Sequence, residues 1–297
     1  VYCWGFNLNG QLGDGTFADR ATPGPIAGNA QLVSVSTGGS YSCGVTGAGA
    51  AFCWGWNDYG QLGQGNTNDE NAPVAVTGGL AFAEVSAGAH HTCGLTLAGA
   101  VYCWGRNEWG QLGDATTTES AVPVRVAAAE TFTDVATGFQ HTCAVAQDGT
   151  AYCWGRNNFG QLGMGEDANP RELAPVAIPA GPRFSSISAG GYFTCGLEQG
   201  TGAAYCWGYN GSGQLGDNVR GECQDEIGNV FQCAFEPNPV GGGITFQAVS
   251  AATQHACGLS TAGVGYCWGL GTKGQLGDGS KGEQVFSIQP VRIAGQP

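Results

Sequence analysis

One phrase returns along this chain and leaves little freedom over its fold. Trp4-Gly5-Phe6-Asn7-Leu8-Asn9-Gly10-Gln11-Leu12-Gly13-Asp14-Gly15 comes back as WGWNDYGQLGQG from Trp54, WGRNEWGQLGDA from Trp104 and WGRNNFGQLGMG from Trp154. Looser copies follow as WGYNGSGQLGDN from Trp207 and WGLGTKGQLGDG from Trp268. The Cys-Trp-Gly steps start at Cys3, Cys53, Cys103, Cys153, Cys206 and Cys267, a period of 50 residues that lengthens to 53 and then 61. A fixed period of this size marks a solenoid, a propeller or an array, whose repeats share one continuous core. The 297 residues therefore read as a single domain rather than the two that length alone suggests.

Each repeat spells four short strands. In the repeat after the first phrase they are Leu32-Val33-Ser34-Val35-Ser36, Tyr41-Ser42-Cys43-Gly44-Val45, Ala51-Phe52-Cys53-Trp54 and Pro73-Val74-Ala75-Val76. Alternation and β-branched or aromatic residues support strands, and Gly-Gly, Gly-Ala-Gly and Pro punctuate them. Phe52 and Trp54 fall on one face of the third strand and Ala51 and Cys53 on the other, so neither face is polar. A sheet that is apolar on both sides must sit between copies of itself, as the blades of a propeller do.

The 13 cysteines bear on the compartment. Five pairs recur at matched positions: Cys43–Cys53, Cys93–Cys103, Cys143–Cys153, Cys195–Cys206 and Cys257–Cys267. A Gly-containing turn between the members makes each pair the facing residues of a hairpin, within reach of a cross-strand bridge. Zinc is the rival, but no CxxC occurs and each pair lies in a different repeat. Disulfides place the chain in an oxidising setting: secreted, periplasmic or cell-surface. The net charge of −13 and the ten Lys plus Arg exclude a nucleic-acid footprint. No apolar run approaches the roughly 20 residues of a membrane span, so no membrane insertion is expected.

The pattern VSAG..HTCGL…G.VYCWG.N..GQLGDG…PV.V resembles the regulator of chromosome condensation repeat, over nearly the whole chain. The resemblance implies an all-β, propeller fold of four-stranded antiparallel blades, seven-bladed in the family. This chain supplies five full blades (about 32–76, 82–126, 132–178, 184–240 and 246–293) and an N-terminal half blade, 1–27. The half blade holds only a third and a fourth strand, which leaves Cys3 without a partner. The missing hairpin is expected from upstream sequence or from another chain. The paired cysteines depart from the nuclear namesake and suit secreted bacterial members. The loop from Asn218 to Pro239 is the longest and carries Cys223 and Cys233, read as a bridge of their own.

No residue set marks chemistry. His91, His141 and His255 share one repeat position with Tyr41 and Phe193, which points to packing rather than metal binding; His90 precedes His91. The acidic pairs Asp69-Glu70 and Asp225-Glu226 lie in loops, no triad or EF-hand spacing occurs, and no cofactor is expected. Asn210-Gly211-Ser212 spells a glycosylation sequon, but Asn210 also fills the repeat's own Asn position. Gly-Gln-Leu-Gly itself reads as structural. What varies beside that frame is Phe6, Trp56, Tyr59, Arg106, Trp109, Arg156, Phe159 and Tyr209, residue types that dominate binding hot spots. They are the candidate partner-binding residues. The expected function is a non-enzymatic extracellular or cell-surface scaffold that recognises a protein through the loop face. The alternative is a structural subunit joined to neighbouring copies through an open blade edge. Guanine-nucleotide exchange, which the resemblance also raises, is set aside because disulfides keep the chain from a cytosolic GTPase.

Overall fold

The structure, a computed structural model, describes every residue except Asn29, Asp167, Arg220, Asp225, Glu226, Glu283, Gln284 and Pro297. The acidic pair Asp225-Glu226 thus lies outside the described residues. Among the described residues all regular structure is β, apart from one turn of 3-10 helix at Gly241–Gly243. The N-terminal half blade is β1 (Tyr2–Gly5) and β2 (Arg20–Pro25). The first full blade comprises β3 (Leu32–Thr37), β4 (Tyr41–Thr46), β5 (Ala51–Gly55) and β6 (Glu70–Ala75). The second comprises β7 (Phe82–Ala87), β8 (His91–Thr96), β9 (Val101–Gly105) and β10 (Ser120–Arg125). In the third are β11 (Phe132–Thr137), β12 (His141–Ala146), β13 (Ala151–Arg156) and β14 (Arg171–Ala177). The fourth adds a strand: β15 (Phe184–Ala189), β16 (Phe193–Glu198), β17 (Ala204–Tyr209), β18 (Gly221–Gln224) and β19 (Val230–Pro239). The fifth is β20 (Phe246–Ala251), β21 (His255–Ser260), β22 (Gly265–Leu270) and β23 (Phe286–Arg292).

Every blade runs as an antiparallel meander, with the first strand at the axis and the order β15-β16-β17-β19-β18 in the enlarged one. The ends of the first strands and the turns after them line a central channel of about 630 Å³. The second and third strands pair so that the cysteines face each other, and all five repeat bridges form, with Cα atoms 4.0–4.1 Å apart. Cys223 and Cys233 form the sixth bridge, and Cys3 carries a free thiol.

The recurring phrase is the rivet between blades. The Trp of each full blade is completely buried and donates its Nε1 hydrogen, at 2.8–3.0 Å, to the Gln carbonyl of the preceding repeat. Burying one indole is worth about 5 kcal/mol of gross transfer free energy, taking roughly 200 Å² at 25 cal/mol/Å². The Asn of the phrase accepts from the Leu N–H five residues on, for example Leu62 to Asn57 Oδ1 at 2.9 Å, and so holds the loop shut. The Gly that ends Gly-Gln-Leu-Gly must be Gly. At Gly113 φ is +69°, and a Cβ would lie 2.5 Å from the Trp154 indole nitrogen. Asn210 is used in the same way, buried with Oδ1 accepting from Leu215, so the sequon is part of the frame.

The innermost strands would leave edge N–H groups unpaired along the axis. Side chains from the preceding blade satisfy them. Ser36, Ser86 and Ser188 accept from the backbone of Ala87, Thr137 and Ala251, and Glu84 and Asp134 accept from Val135 and Ile187.

Among the described residues, no strand pairing joins β1 and β2 to the fifth blade. Trp4 is 58% exposed where its five counterparts are at zero. The half blade nonetheless caps the first full blade, since Gln11 accepts from Trp54 and Ser42.

Candidate protein-binding face

The long third-to-fourth loops and the first-to-second turns emerge on the same face, around the mouth of the channel. Trp56 and Tyr59 from one loop meet His90 from the next blade's turn, with ring centroids 5.1–5.5 Å apart. Arg106 lies over Tyr59, its guanidinium carbon 4.8 Å from the ring centre, and its Nη2 reaches Glu108 at 2.7 Å. Glu108 also accepts from Gln140, whose own Oε1 accepts from Arg156 at 2.6 Å. Arg156 lies over Trp109 at 4.5 Å. A chain of alternating rings and guanidinium groups therefore runs from blade to blade around the mouth.

The local backbone explains how these side chains are presented. The Gln of each phrase accepts a hydrogen bond from the N–H of the residue two before it, which is Tyr59, Trp109 or Phe159. The residue that varies is pinned by one that recurs, so the aromatic groups stand on rigid loops. Trp56, Tyr59, Arg106, Trp109 and Tyr209 are half-buried, with one side in the solvent, and Phe6 is 56% exposed. Arg156 and Phe159 differ. They are only 8% and 7% exposed, so they form the floor under the others and are not themselves presented. The cause is the extra hairpin of the fourth blade, which covers Phe159 with Phe231 at a centroid distance of 6.4 Å.

Four residues of this face lie outside the set expected from sequence: His90, Phe139, Tyr192 and Phe231. His90 and Tyr192 stand at one repeat position, the last residue of the first-to-second turn, where Ser40, Gln140 and Gln254 stand elsewhere. That position varies as freely as the one after Trp-Gly, and this was the available signal. Burial and Arg106 hold the His90 imidazole below its ordinary pKa, so this face carries a neutral ring at neutral pH.

The buried histidines play no part at the face. Thr142 Oγ1 gives its hydrogen to the Gln111 carbonyl and thus accepts from His91 Nε2 at 2.8 Å. His141 and Thr194 repeat the arrangement. Burial pushes both imidazoles down to about 3. Among the described residues no group of three or more His, Cys, Asp or Glu is placed to hold a metal ion.

The profile of the RCC1-like domain matches residues 1–296. The chain belongs to this family. Yeast RCC1 (Prp20), solved bound to Kap60, superposes with a TM-score of 0.84 at 23% identity, covering 99% of this chain and 71% of that one. Human WBSCR16 gives 0.84 at 22% identity, covering 99% and 76%. The ectodomain of the receptor kinase CR4 from Physcomitrella patens gives 0.56 at 25% identity, over 84% of this chain and 54% of that one. In sequence, the mitochondrial RCC1 domain-containing protein RUG3 of Arabidopsis thaliana is 30% identical over 138 residues. That stretch is 44% of this chain and 28% of the relative's length. An RCC1-like propeller built of four four-stranded blades, one five-stranded blade and half of another is thus the frame on which the aromatic face is mounted.

Proposed function

We propose that this RCC1-like propeller is an extracellular or cell-surface scaffold that binds a protein partner through the face around the channel mouth, without chemistry of its own. The observation that carries the reading is the belt of half-buried Trp56, Tyr59, Arg106 and Trp109, pinned on rigid loops beside the axis. Rigid aromatic and Arg side chains lose little entropy on binding and supply most hot-spot energy. Six bridges favour an oxidising compartment. The CR4 propeller belongs to a receptor ectodomain, and the yeast propeller was solved with a protein bound to it, so the frame serves both settings elsewhere.

The test is capture of a partner from the native extracellular medium, followed by calorimetry with Trp56→Ala and Trp109→Ala. Each should weaken binding by about 2 kcal/mol, on the order of thirty-fold, with the fold intact. Neither side chain belongs to an inter-blade core, so a partner that binds both variants as tightly as the parent overturns the reading.

The second reading, a subunit joined to copies of itself, has its own observation. Trp4 is 58% exposed, whereas its five counterparts are buried with the indole hydrogen on the Gln carbonyl of the preceding repeat. Light scattering over a hundredfold range of concentration separates the two readings, since head-to-tail joining produces growing chains and partner capture does not.

A further inference from the structure

The fourth blade departs from the repeat in a way the propeller does not need. After its third strand it adds β18, which pairs with the first half of an extended fourth strand β19 in a hairpin closed by Cys223–Cys233, and among the described residues no other blade has a fifth strand. Phe231 on this hairpin turns back to the mouth and packs on Tyr209 at 5.1 Å. With Phe139, Phe159 and Tyr192 these rings wall a cavity of about 210 Å³, completed by Thr253 and Gln254 of the fifth blade. Three blades and the one elaborated loop thus converge on a single small recess.

Its chemistry narrows the occupant. The volume lies below the roughly 300–1,000 Å³ of pockets for drug-sized ligands and is of the order of one large side chain. The polar side chains of the lining are Thr253, Gln254 and the phenols Tyr192 and Tyr209. The lining is predominantly apolar, with too little polar surface to satisfy the several hydroxyls of a sugar or the phosphates of a nucleotide. A cation is disfavoured as well. The Arg156 guanidinium already lies against Tyr192 and Phe159, 5.5 and 5.7 Å from their ring centres, and repels a second positive charge. A neutral aromatic group suits both the shape and the edge-on rings around it. The bridge across the hairpin fixes the Phe231 wall before binding, which lowers the ordering cost. Phe139 and Tyr192 also wall a neighbouring recess of about 250 Å³ that includes Trp56 and His90, so a segment seated here continues naturally toward the belt.

We propose that this recess is a preformed socket for one aromatic side chain presented by a partner polypeptide. The inference rests on the protein-binding reading and names the part of the face that takes the anchor. The test titrates the full, oxidised chain with N-acetyl-tyrosinamide, N-acetyl-trimethyllysinamide and methyl glucoside, followed by amide NMR. The tyrosine amide should shift the resonances of Tyr209, Phe231 and Thr253, and the other two probes should leave them in place. Thr253→Trp, which blocks the rim, and Phe231→Ala, which removes a wall, should each weaken the tyrosine amide at least tenfold without lowering the melting temperature. No shift at the solubility limit, preference for the trimethyllysine amide, or full binding by either folded variant overturns the socket. A captured partner that still depends on Trp56 and Trp109 but not on Phe231 overturns the socket and leaves the binding face standing. Seating of the amide without any dependence of partner capture on Thr253 and Phe231 overturns the polypeptide occupant.

Discussion

At the scale of the residue, the repeat shows coupled substitutions across blade boundaries. Tyr41, His91 and His141 each present a polar atom to the hydroxyl of Thr92, Thr142 or Thr194 in the next blade. In the fourth blade the same position is Phe193, which has nothing to offer, and the fifth blade carries Ala256 in place of the Thr. The donor and the acceptor are lost together, so neither is left buried and unpaired. Ala115 is a different kind of exception. It takes φ +65° where Gly15, Gly65, Gly165 and Gly279 stand in other repeats at +85° to +92°. A Cβ at the equivalent Gly15 would meet only Ala27 Cβ at 3.8 Å, an ordinary contact, and one at Gly279 meets nothing within 4 Å, so the cost at Ala115 is backbone strain alone. Ala115→Gly should therefore raise the unfolding free energy by about 1 kcal/mol, part of the strain relief being offset by the added chain entropy of Gly. Chemical denaturation of the two proteins checks this, and an unchanged or lower midpoint refutes it. The packing role of the histidines was legible in the sequence because Tyr and Phe occupy their position. The burial of Arg156 and Phe159 was not, since the rings that cover them come from elsewhere in the chain.

At the scale of the element, periodicity placed the strands of every blade and the cysteine spacing gave their pairing. The expected bridges Cys43–Cys53, Cys93–Cys103, Cys143–Cys153, Cys195–Cys206, Cys223–Cys233 and Cys257–Cys267 are all present. The extra hairpin was read as a long bridged loop because the repeat offers no template for a fifth strand. In fact β19 is ten residues long and serves twice. Its first half pairs with β18 and its second with β17, joined near Cys233 and Ala234. Since β18 hangs on the outside of a complete blade, its bridge stabilises the hairpin and little else. Replacing Cys223 and Cys233 together by Ala should lower global stability by no more than about 1 kcal/mol while amide exchange across 221–235 accelerates. Loss of cooperative melting in that variant shows instead that the hairpin belongs to the core.

At the scale of the whole molecule, charge in the channel and charge in the core set opposite pH limits. His91 and His141 are neutral in the fold, with values near 3, whereas the unfolded chain protonates them near 6.5. The unfolded state then binds more protons, so this contribution is complete above pH 6.5 and falls away as the pH drops toward 3. Glu84 acts the other way. Burial, and then the neighbouring Asp134, raise its carboxyl from 4.5 to about 7, and the protonated acid is hydrogen-bonded to Asp134. Its contribution is present below pH 4.5 and is lost as the pH rises through 7. Glu84→Gln keeps the acceptor for the Val135 N–H and supplies a donor toward Asp134 without a titrating group. The variant should match the parent near pH 5 and exceed it by about 2 kcal/mol at pH 8. A stability difference that does not change with pH removes Glu84 from the account.

The rivet between repeats points one way only. Each indole reaches back to a carbonyl already laid down in the preceding repeat, from Trp54 to Gln11 through to Trp268 to Gln214. A ribosome delivers the chain in that same direction, so every blade leaves the exit tunnel after the surface that will receive it. None of the five full blades waits for a distant segment to receive its indole, and the span to be closed does not grow as they are added. The propeller can be wound up as it is translated, one blade per fifty or so residues. Oxidation of each hairpin can follow in the same order.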